Sequence, residues 1–411
     1  MNNHNPINCR ISGDPLEEII DFGLQPLGNG FLTKEDFQDE YFFNMKLGFN
    51  QNSQMVQLFE QPEPEKMFHR EYAFFSSTST AMKKHFQEFY RYIINSSYYS
   101  SDNPFVVEIG CNDGILLGNF AADGISHLGI EPSTNVADVA NKKGINTISE
   151  FFSEKLAMKI VQTNGKADIV MSANVMCHIP NILNIVAGLK TLIKDQGVLI
   201  FEDPYLGDVI KKTSYDQIYD EHVYLFSAIS VQNLFNRFDF ELVDLQPQST
   251  HGGSMRYVIA HKDQYEIQPI VGNIIEEERS IGLDNMISLH EFSENIKQSK
   301  EKLISILKEI KSNGKTIAGY AATSKSTTIL NYCKVGSQYL DYICDTTPIK
   351  QGKYSPGMHI PIYPHSHFLE NPPDYAFLLA WNHLDEILNK EKSFIDAGGK
   401  WILNVPQPRI L

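Results

Sequence analysis

A buried strand that runs directly into a glycine turn is the feature that most restricts the fold of this chain. Phe105–Ile109 is almost wholly apolar, and Gly110-Cys111-Asn112-Asp113-Gly114 follows it before an apolar helix start at 115–117. Glycines at this place let the main chain approach a ligand closely. Strand-like apolar runs continue at 127–130, 167–172 and 197–201. The pattern predicts a parallel α/β sheet of the Rossmann-like kind, with a ligand at the glycine turn.

The spacing of the glycines indicates which ligand the turn binds. A dinucleotide site normally has three closely spaced glycines that admit a pyrophosphate, whereas Asn112 and Asp113 take the middle position here. S-Adenosylmethionine carries no phosphate, and its amino acid and ribose groups suit a polar turn with acids nearby. The sequence therefore favours this methyl donor over NAD. The predicted cofactor ligands are Glu108, Gly110, Asn112, Gly114, Glu131 and Asn174.

Proton-transfer groups are concentrated in one segment downstream of this turn. Residues 215–222 read Tyr-Asp-Gln-Ile-Tyr-Asp-Glu-His, which brings phenols, carboxylates and an imidazole together. Histidine is the side chain most often able to move a proton near neutral pH. Beside a cofactor site, the segment indicates an enzyme rather than an exposed acidic turn, and His222 is the first candidate for a general base.

The composition limits the partners of the chain. Its 411 residues, 42% of them hydrophobic, are enough for two or three domains. A net charge of −15 argues against nucleic acid and anionic membranes as main partners. We see no apolar run of membrane-spanning length and no signal-like N-terminus, and the five cysteines are scattered. We therefore expect a cytoplasmic protein with reduced thiols.

The distribution of turns, charges and periodic stretches predicts three domains. Residues 1–70 lack a strong period and contain turn-forming groups, which indicates a small loop-rich N-terminal domain. Helical spacing at 81–96 leads into a central Rossmann-like domain, 71–265. A charged helical stretch opens a C-terminal Rossmann-like α/β domain, 266–411.

A second strand and turn lie in the C-terminal domain, at 316–325. The small residues Ala321 and Ala322 would let main-chain amides meet a phosphate, and Lys325 adds positive charge. Asp345 ends the next predicted strand, where an acid can bind a ribose. This turn is therefore interpreted as a nucleotide site, with NAD as one possible ligand.

The motifs together resemble those of the sugar C-methyltransferases, which methylate C3 of nucleotide-linked 4-keto-deoxyhexoses. The resemblance spans nearly the whole chain. The matching segments are 24–29, 72–82, 108–114, 202–206, 215–227, 319–322 with Lys325, and 348–352 leading to Pro356-Gly357. The resemblance implies a zinc-binding N-terminal domain, a central S-adenosylmethionine domain and a C-terminal domain that helps to hold the sugar nucleotide.

The resemblance also implies a reaction and a set of site residues. A ketone at C4 acidifies the C3 hydrogen, so that a base can form an enolate whose carbon attacks the donated methyl group. The implied catalytic residues are His222 as base, Tyr219 and His178 as alternatives, Glu221 as its orienting group, and Tyr72. The implied sugar-nucleotide contacts are Ser77, Ser79, Tyr320, Ser324, Lys325, Lys350 and Lys353. Sugar O-methylation, and sugar-nucleotide binding without catalysis, stay open as alternatives.

One part of the implied architecture is altered in this chain. The zinc site of the family uses two CxxC pairs, whereas the corresponding positions here are Cys9, Ser12, Asn50 and Ser53. A single thiolate with an amide and two hydroxyls does not form the sulfur set that structural zinc prefers. We therefore expect no metal, and expect the domain to depend on packing instead. The residues predicted to supply that packing are Phe42, Phe43, Phe49 and Leu58.

Overall fold

Three β-sheets with flanking helices form the structure, a computed structural model that describes residues 8–67 and 76–411. The N-terminal elements are β1 (Glu17–Pro26), β2 (Phe42–Asn50), β3 (Met55–Leu58) and α1 (Pro64–Met67). The central elements are α2 (Thr80–Asn95), β4 (Phe105–Ile109), α3 (Leu117–Ala122), β5 (Ser126–Ile130), α4 (Thr134–Lys142), β6 (Thr147–Ile148), α5 (Glu154–Asn164), β7 (Ala167–Ala173), α6 (Ile182–Leu192), β8 (Ile193–Pro204), α7 (Leu206–Lys212), β9 (Tyr224–Leu225), α8 (Ala228–Asn236), β10 (Phe240–Gln248) and β11 (Ser254–His261). The C-terminal elements are α9 (Pro269–Ser280), α10 (Met286–Ser312), β12 (Ile317–Tyr320), α11 (Ser324–Tyr332), β13 (Tyr342–Asp345), β14 (Ile362–Pro364), α12 (His365–Glu370), β15 (Tyr375–Leu378), α13 (Leu384–Lys390), α14 (Lys392–Asp396), β16 (Lys400–Leu403) and β17 (Arg409–Ile410). Among the helices described, none combines the length and the apolar character needed to cross a membrane.

The central sheet has the order β10-β11-β8-β7-β4-β5-β6. Strands β4 to β8 are parallel to one another, and β10 and β11 add an antiparallel edge. All five residues of β4 are buried, as expected of a strand covered on both faces by helices. Because β4 lies between β5 and β7, the chain leaves it toward opposite sides, which opens a ligand crevice at its carboxyl end. The predicted Rossmann-like α/β class is confirmed.

The C-terminal sheet repeats this arrangement in the order β14-β13-β12-β15-β16-β17. Strand β12 lies between β13 and β15 and is parallel to both, and only β17 is antiparallel to its neighbour. The carboxyl end of β12 is therefore a second point at which the strand order reverses. The turn that contains Ala321 and Ala322 begins there.

The N-terminal part contains more regular structure than the loop-rich prediction allowed. Strands β1, β2 and β3 form an antiparallel sheet. Register shifts between Glu18 and Ile20 and between Asp21 and Leu24 interrupt the alternation along β1, which hid the strand in the sequence. The predicted packing residues are buried in the core except for Phe42, whose side chain is 41% exposed.

A two-residue strand joins this N-terminal sheet to the segment 215–222. Strand β9 begins two residues after His222 and pairs with β3, with Leu225 opposite Val56. On the other side, the hydroxyl of Thr328 in α11 donates to the carbonyl of Ile218 at 2.7 Å. The segment therefore contacts the N-terminal sheet and the C-terminal domain while it belongs, by sequence, to the central one.

Candidate active site

His222 is buried, and both of its ring nitrogens have partners. Nδ1 lies 2.7 Å from the carbonyl oxygen of Gln217, and Nε2 lies 3.0 Å from the hydroxyl of Tyr219. Because a carbonyl oxygen only accepts, Nδ1 carries the proton and Nε2 accepts from Tyr219. Burial, followed by the proximity of His178, lowers the pKa of His222 well below its ordinary value. The imidazole is therefore neutral, and its basic nitrogen is directed toward Tyr219.

His178 lies beside this pair in the short turn Met176–His178 that follows β7. Its ring stacks against that of His222, with 5.2 Å between the ring centroids. Burial lowers the pKa of His178 to about 4, so that this imidazole is also neutral at pH 7. The structure thus brings together three of the predicted catalytic side chains, those of His178, Tyr219 and His222.

The acids next to His222 form hydrogen bonds with the N-terminal segment 24–29 and not with the imidazole ring. The side-chain amide of Asn29 donates to Glu221 at 2.7 Å, and the amide N–H of Gly28 donates to Asp220 at 2.9 Å. Nδ1 of His222 is engaged by the Gln217 carbonyl, which performs the orienting role that was predicted for Glu221. The structure therefore corrects that prediction.

Anchors on both sides keep the start of the segment in place. The hydroxyl of Tyr215 lies 3.4 Å from the sulfur of Cys333, and the indole N–H of Trp381 donates to Asp216 at 2.6 Å. Tyr215 and Asp216 are buried. Both contacts reach residues that follow β11, so that the C-terminal domain fixes the turn on which Gln217 lies.

The glycine turn after β4 has the shape of a ligand cradle. Gly110 and Gly114 adopt φ angles of 72° and 79°, and Asn112 adopts 49°. A Cβ atom would lie 2.3 Å from Val175 at the first glycine and 2.1 Å from Ile145 at the second. Larger residues at these two positions would therefore displace the main chain that faces the crevice.

The two predicted acids lie on either side of this turn. Glu108 accepts from the amide of Leu117 at 3.0 Å, and Glu131 accepts from those of Asn112 at 3.1 Å and Ser133 at 2.8 Å. Burial raises the pKa of both acids, that of Glu108 most. Glu131 thus directly follows β5 beside the turn, where an acid suits the ribose of an adenosine ligand.

Asn174 closes the opposite side of the crevice, at the end of β7. It adopts a φ angle of 57°, and its amide donates to the carbonyl of Glu202 at 2.7 Å. Because β7 is parallel to β4 and pairs with it, Asn174 lies at the same sheet edge as the glycine turn. The six predicted cofactor ligands therefore occupy one edge of the central sheet.

The serine-rich segment lies closer to the cofactor turn than predicted. The hydroxyl of Ser77 donates to the carboxylate of Asp113, within the glycine turn. Ser79 caps α2 by accepting from the amide of Met82 at 3.3 Å. These contacts do not support the predicted roles of Ser77 and Ser79 in holding the sugar. Tyr72 lies outside the described residues.

The second turn, after β12, is only partly open to a phosphate. Ala321 adopts a φ angle of 71°, but the amide of Ala322 donates to Asp345 at 2.7 Å. Lys350 donates to the carbonyl of Ala322 at 2.8 Å, and burial lowers its pKa. The hydroxyl of Ser324 donates to the side chain of Asn29 at 2.7 Å, so that this turn contacts the N-terminal segment 24–29.

Tyr320, one of the predicted sugar-nucleotide contacts, has different surroundings from those expected. The hydroxyl of Tyr320 donates to Glu391 at 2.7 Å, and its ring packs edge-on against Phe368 and Trp401, each at 5.3 Å between centroids. Tyr320 therefore belongs to the core of the C-terminal sheet, which corrects the prediction. Lys353 is half-buried, and its role in binding the sugar nucleotide stays a prediction.

Comparison with known proteins identifies the family. A relative, C-methyltransferase NovU from Streptomyces niveus, is 31% identical over 406 residues and is matched over 98% of this chain and 96% of its own length. The chain belongs to the C-methyltransferase family. Three family profiles also match, described as "Putative zinc binding domain" at 9–68, "Methyltransferase domain" at 82–245 and "C-methyltransferase C-terminal domain" at 249–406. The resemblance seen in the sequence is confirmed.

Other matches cover part of the chain. Ubiquinone biosynthesis O-methyltransferase from Actinobacillus pleuropneumoniae serotype 7 is 31% identical over 106 residues, 23% of this chain and 44% of that protein. Magnesium protoporphyrin IX methyltransferase from Synechocystis PCC 6803, solved with bound SAM, is 16% identical at a TM-score of 0.34 and covers 44% of this chain and 79% of its own. The PH0226 protein from Pyrococcus horikoshii OT3 is 12% identical at a TM-score of 0.38, covering 49% of this chain and 100% of its own.

This C-methyltransferase uses S-adenosylmethionine as its methyl donor. The residues at the carboxyl edge of the central sheet fit that cofactor, because Gly110 and Gly114 adopt the positive φ angles that shape the turn and Glu131 lies beside it. A polar turn without the third glycine of a dinucleotide site agrees with a ligand that lacks phosphate. The predicted cofactor is therefore confirmed.

The zinc-binding positions of the C-methyltransferase hold a hydrogen-bonded cluster instead of a thiolate set. The sulfur of Cys9 lies 3.2 Å from the hydroxyl of Ser53 and 3.0 Å from the side-chain amide of Gln57. Asn50 accepts from the hydroxyl of Ser12 at 3.0 Å and from that of Ser53 at 3.1 Å. The four positions at which the family resemblance implies zinc ligands thus lie together, but they are connected by hydrogen bonds among neutral groups.

The donor set of this cluster does not fit structural zinc. Burial opposes ionisation of Cys9, but hydrogen bonds from Ser53, Ser12 and Ile11 outweigh it and lower the pKa of the thiol. Those bonds use the sulfur that a metal would need, and the amide and hydroxyl groups are weak ligands for zinc. The side chains of Asn50 and Ser53 satisfy one another instead.

A second group of sulfur and nitrogen atoms lies within the active site. Ligand atoms of Cys177, His178 and His222 lie within 4.8 Å of one another. Burial, followed by the charge of Asp203, raises the pKa of the Cys177 thiol well above its ordinary value. The group therefore presents a protonated thiol, and Nε2 of His222 is occupied by Tyr219. We assign no metal to it.

The turn between β10 and β11 was missed in the sequence. His251 adopts a φ angle of 55°, and its carbonyl accepts from the side-chain amide of Gln217. A Cβ atom at Gly252 would lie 2.1 Å from the ring of Trp381, so that the hairpin packs closely against the C-terminal domain. The signal was Thr-His-Gly-Gly between two strands, where paired glycines mark a tight turn and histidine adds a polar group.

Proposed function

We propose that this C-methyltransferase transfers a methyl group to C3 of a nucleotide-linked 4-keto-6-deoxyhexose. The observation that carries the proposal is the neutral His222 imidazole, whose Nδ1–H is fixed by the Gln217 carbonyl and whose Nε2 faces Tyr219. An imidazole held in one tautomer is ready to accept a proton without first losing one. A carbon next to a ketone is the type of carbon that such a weak base can deprotonate.

The proton has a defined path to the base. The C3–H bond breaks, the hydroxyl of Tyr219 takes up the C3 proton as it passes its own proton to Nε2 of His222, and the electron pair moves onto the C4 oxygen. The Gln217 carbonyl then stabilises the imidazolium through its bond from Nδ1. Tyr219 and His178 remain the alternative bases, because both lie beside the His222 ring.

The cofactor and the sugar nucleotide would approach from two sheet edges. Glu108, Gly110, Asn112, Gly114, Glu131 and Asn174 would hold S-adenosylmethionine, which supplies an electrophilic methyl group when bound. Ser324, Lys350 and Lys353 would hold the diphosphate side of the sugar nucleotide near the start of α11, where a helix N-terminus favours negative charge. The domain boundaries we propose are 1–70, 71–265 and 266–411.

A test incubates the protein with methyl-labelled S-adenosylmethionine and 4-keto-6-deoxyhexoses linked to TDP, GDP, UDP or CDP. NMR should place the label on C3 of one of them. Solvent deuterium should enter C3 of the same sugar without the methyl donor, and His222→Asn should abolish both signals while leaving donor affinity unchanged. A label on a sugar oxygen would instead establish O-methylation. No label, together with sugar-nucleotide binding, would indicate a non-catalytic protein.

A further inference from the structure

Lys325 is the second residue of α11 and points toward the central domain. Its ammonium nitrogen lies 3.5 Å from the carbonyl oxygen of His251, across the interface between the two domains. The same carbonyl accepts from the side chain of Gln217, whose own carbonyl holds His222. Lys325 and the side chain of Gln217 therefore share the His251 carbonyl, and Gln217 is the residue whose own carbonyl orients His222.

Lys325 has no carboxylate partner among residues 8–67 and 76–411 within ion-pair distance. Asp216 is the acid whose charge acts on it most; one carboxylate oxygen of Asp216 accepts from Trp381 at 2.6 Å, and the other has no hydrogen-bond partner among the residues described. The other titratable groups that respond to this lysine are His222, His251 and His383. A cation that is largely removed from water and has no carboxylate within ion-pair distance indicates that an anion binds beside it.

The sugar nucleotide of the proposed reaction offers two anionic groups, and the chain offers two such lysines. Lys350 donates to the carbonyl of Ala322 in the second turn and lies over the ring of Phe31 at 5.0 Å. Lys325 lies at the start of α11, 3.5 Å from the His251 carbonyl, and its charge acts on the pKa of His222. Because C3 and C4 are directly bonded, a cation whose charge reaches the base can also reach the C4 oxygen of a bound keto sugar.

We propose that Lys325 is a catalytic residue whose ammonium group stabilises the enolate oxygen on C4, while Lys350 serves the diphosphate. This assignment rests on the proposed function and replaces the phosphate role given to Lys325 from the sequence. The electron pair released from the C3–H bond moves onto the C4 oxygen beside Lys325, and the proton moves to His222. When C3 forms its new bond to the methyl group, the methyl–sulfur bond of the donor would break with its electron pair left on the thioether sulfur, and the C4 ketone is restored.

The test measures C3 proton exchange into solvent deuterium by NMR, without methyl donor and at saturating keto-sugar nucleotide. Lys325→Met should slow exchange about 100-fold, as expected when one donor to a developing oxyanion is removed. Lys325→Arg should recover much of the rate because it keeps the charge, and Lys211→Met removes an exposed lysine of α7 as a control.

Titration with the best-bound free nucleoside diphosphate should give Lys325→Met an affinity within about threefold of the wild type, which is under 1 kcal/mol. Lys350→Met should bind it more weakly.

Each alternative has its own result. Normal exchange in Lys325→Met with weakened diphosphate binding would show that Lys325 is a phosphate ligand and would overturn the inference. If Lys325→Met melts below the wild type, Lys325→Gln supplies the comparison, and loss of both exchange and diphosphate affinity in that variant would also overturn it. Absence of exchange in the wild type with every keto sugar would refute the proposed function itself, and this inference with it.

Discussion

The main-chain carbonyl of Gln217 accepts a hydrogen bond from Nδ1 of His222 at 2.7 Å. The side chain of Gln217 meanwhile donates to the carbonyl of His251, in the turn between β10 and β11. One residue therefore selects the tautomer of the base and ties it to a turn that packs against the C-terminal domain. This relationship makes Gln217 a positioning residue for the proposed reaction.

Gln217→Leu should lower kcat about tenfold while leaving the affinity for S-adenosylmethionine unchanged, since only part of the general-base contribution is lost. The variant keeps the buried volume but removes the donor to His251, which frees the Gln217 peptide to turn. Nitrogen NMR of labelled histidine checks the cause, because His222 should then show a mixture of tautomers. Gln264→Leu, at an exposed site, serves as the control. An unchanged tautomer together with lower kcat would contradict the positioning role.

The rate should depend on pH in a way that reports the buried histidines. Burial lowers the pKa of His178 to about 4 and that of His222 well below the ordinary value, so that both stay neutral as the pH falls below about 6.5. The acid limb of the kcat/KM profile should therefore lie below pH 6.5, and activity should persist where an exposed imidazole would already be protonated. Enzyme returned from each pH to pH 7 before assay controls for unfolding. A limb at pH 6.5 or above would argue that the base is solvated.

The N-terminal domain should be stable without metal. Elemental analysis of protein dialysed against a mild chelator should find far less than one zinc per chain, and the melting temperature should not change with chelator. Cys9→Ala should lower the free energy of unfolding by about 1–3 kcal/mol, because Gln57 and Ser53 lose a buried partner. Cys344→Ala removes another buried thiol for comparison. One zinc retained per chain would refute this account.

Gly28→Ala should impair catalysis without affecting cofactor binding. A Cβ atom at this position would lie 2.8 Å from the carboxylate of Asp220 and 3.2 Å from the ring of Tyr219. Displacing the base segment by even 1 Å is expected to lower kcat about 100-fold. Gly272→Ala in α9, where a Cβ atom would meet nothing within 4 Å, should leave kcat unchanged. Equal effects of the two substitutions on kcat would contradict the proposed contact.

The sequence predicted the elements whose pattern is local. The strand at Phe105–Ile109 was predicted at its observed bounds because an apolar run ends abruptly at glycine, and the helix predicted at 81–96 forms at Thr80–Asn95. Asn112 and Glu131 lie together at the glycine turn, as their spacing in the sequence indicates, and the roles of these residues and of His222 stay predictions. Such features depend on neighbours along the chain, which a single sequence displays.

The features that were not predicted depend on residues far apart in the chain. The role of Gln217 rests on its main-chain carbonyl, which every residue carries and no motif reveals. The orienting role given to Glu221 failed because Asn29, 192 residues away, binds that carboxylate. Tyr320 ends β12 beside the predicted turn, but its ring packs into the core against Phe368 and Trp401.

Strand β9 has a consequence for how this enzyme can be divided. The residues that place His222 are fixed at one end by pairing with β3 and at the other by α11, so that neither flanking part is an appendage of the methyltransferase sheet. We expect a fragment limited to the central sheet to retain the cofactor crevice but to leave the base segment without support. Recombining this methyltransferase with a new C-terminal domain would therefore require the N-terminal sheet to be inherited along with it.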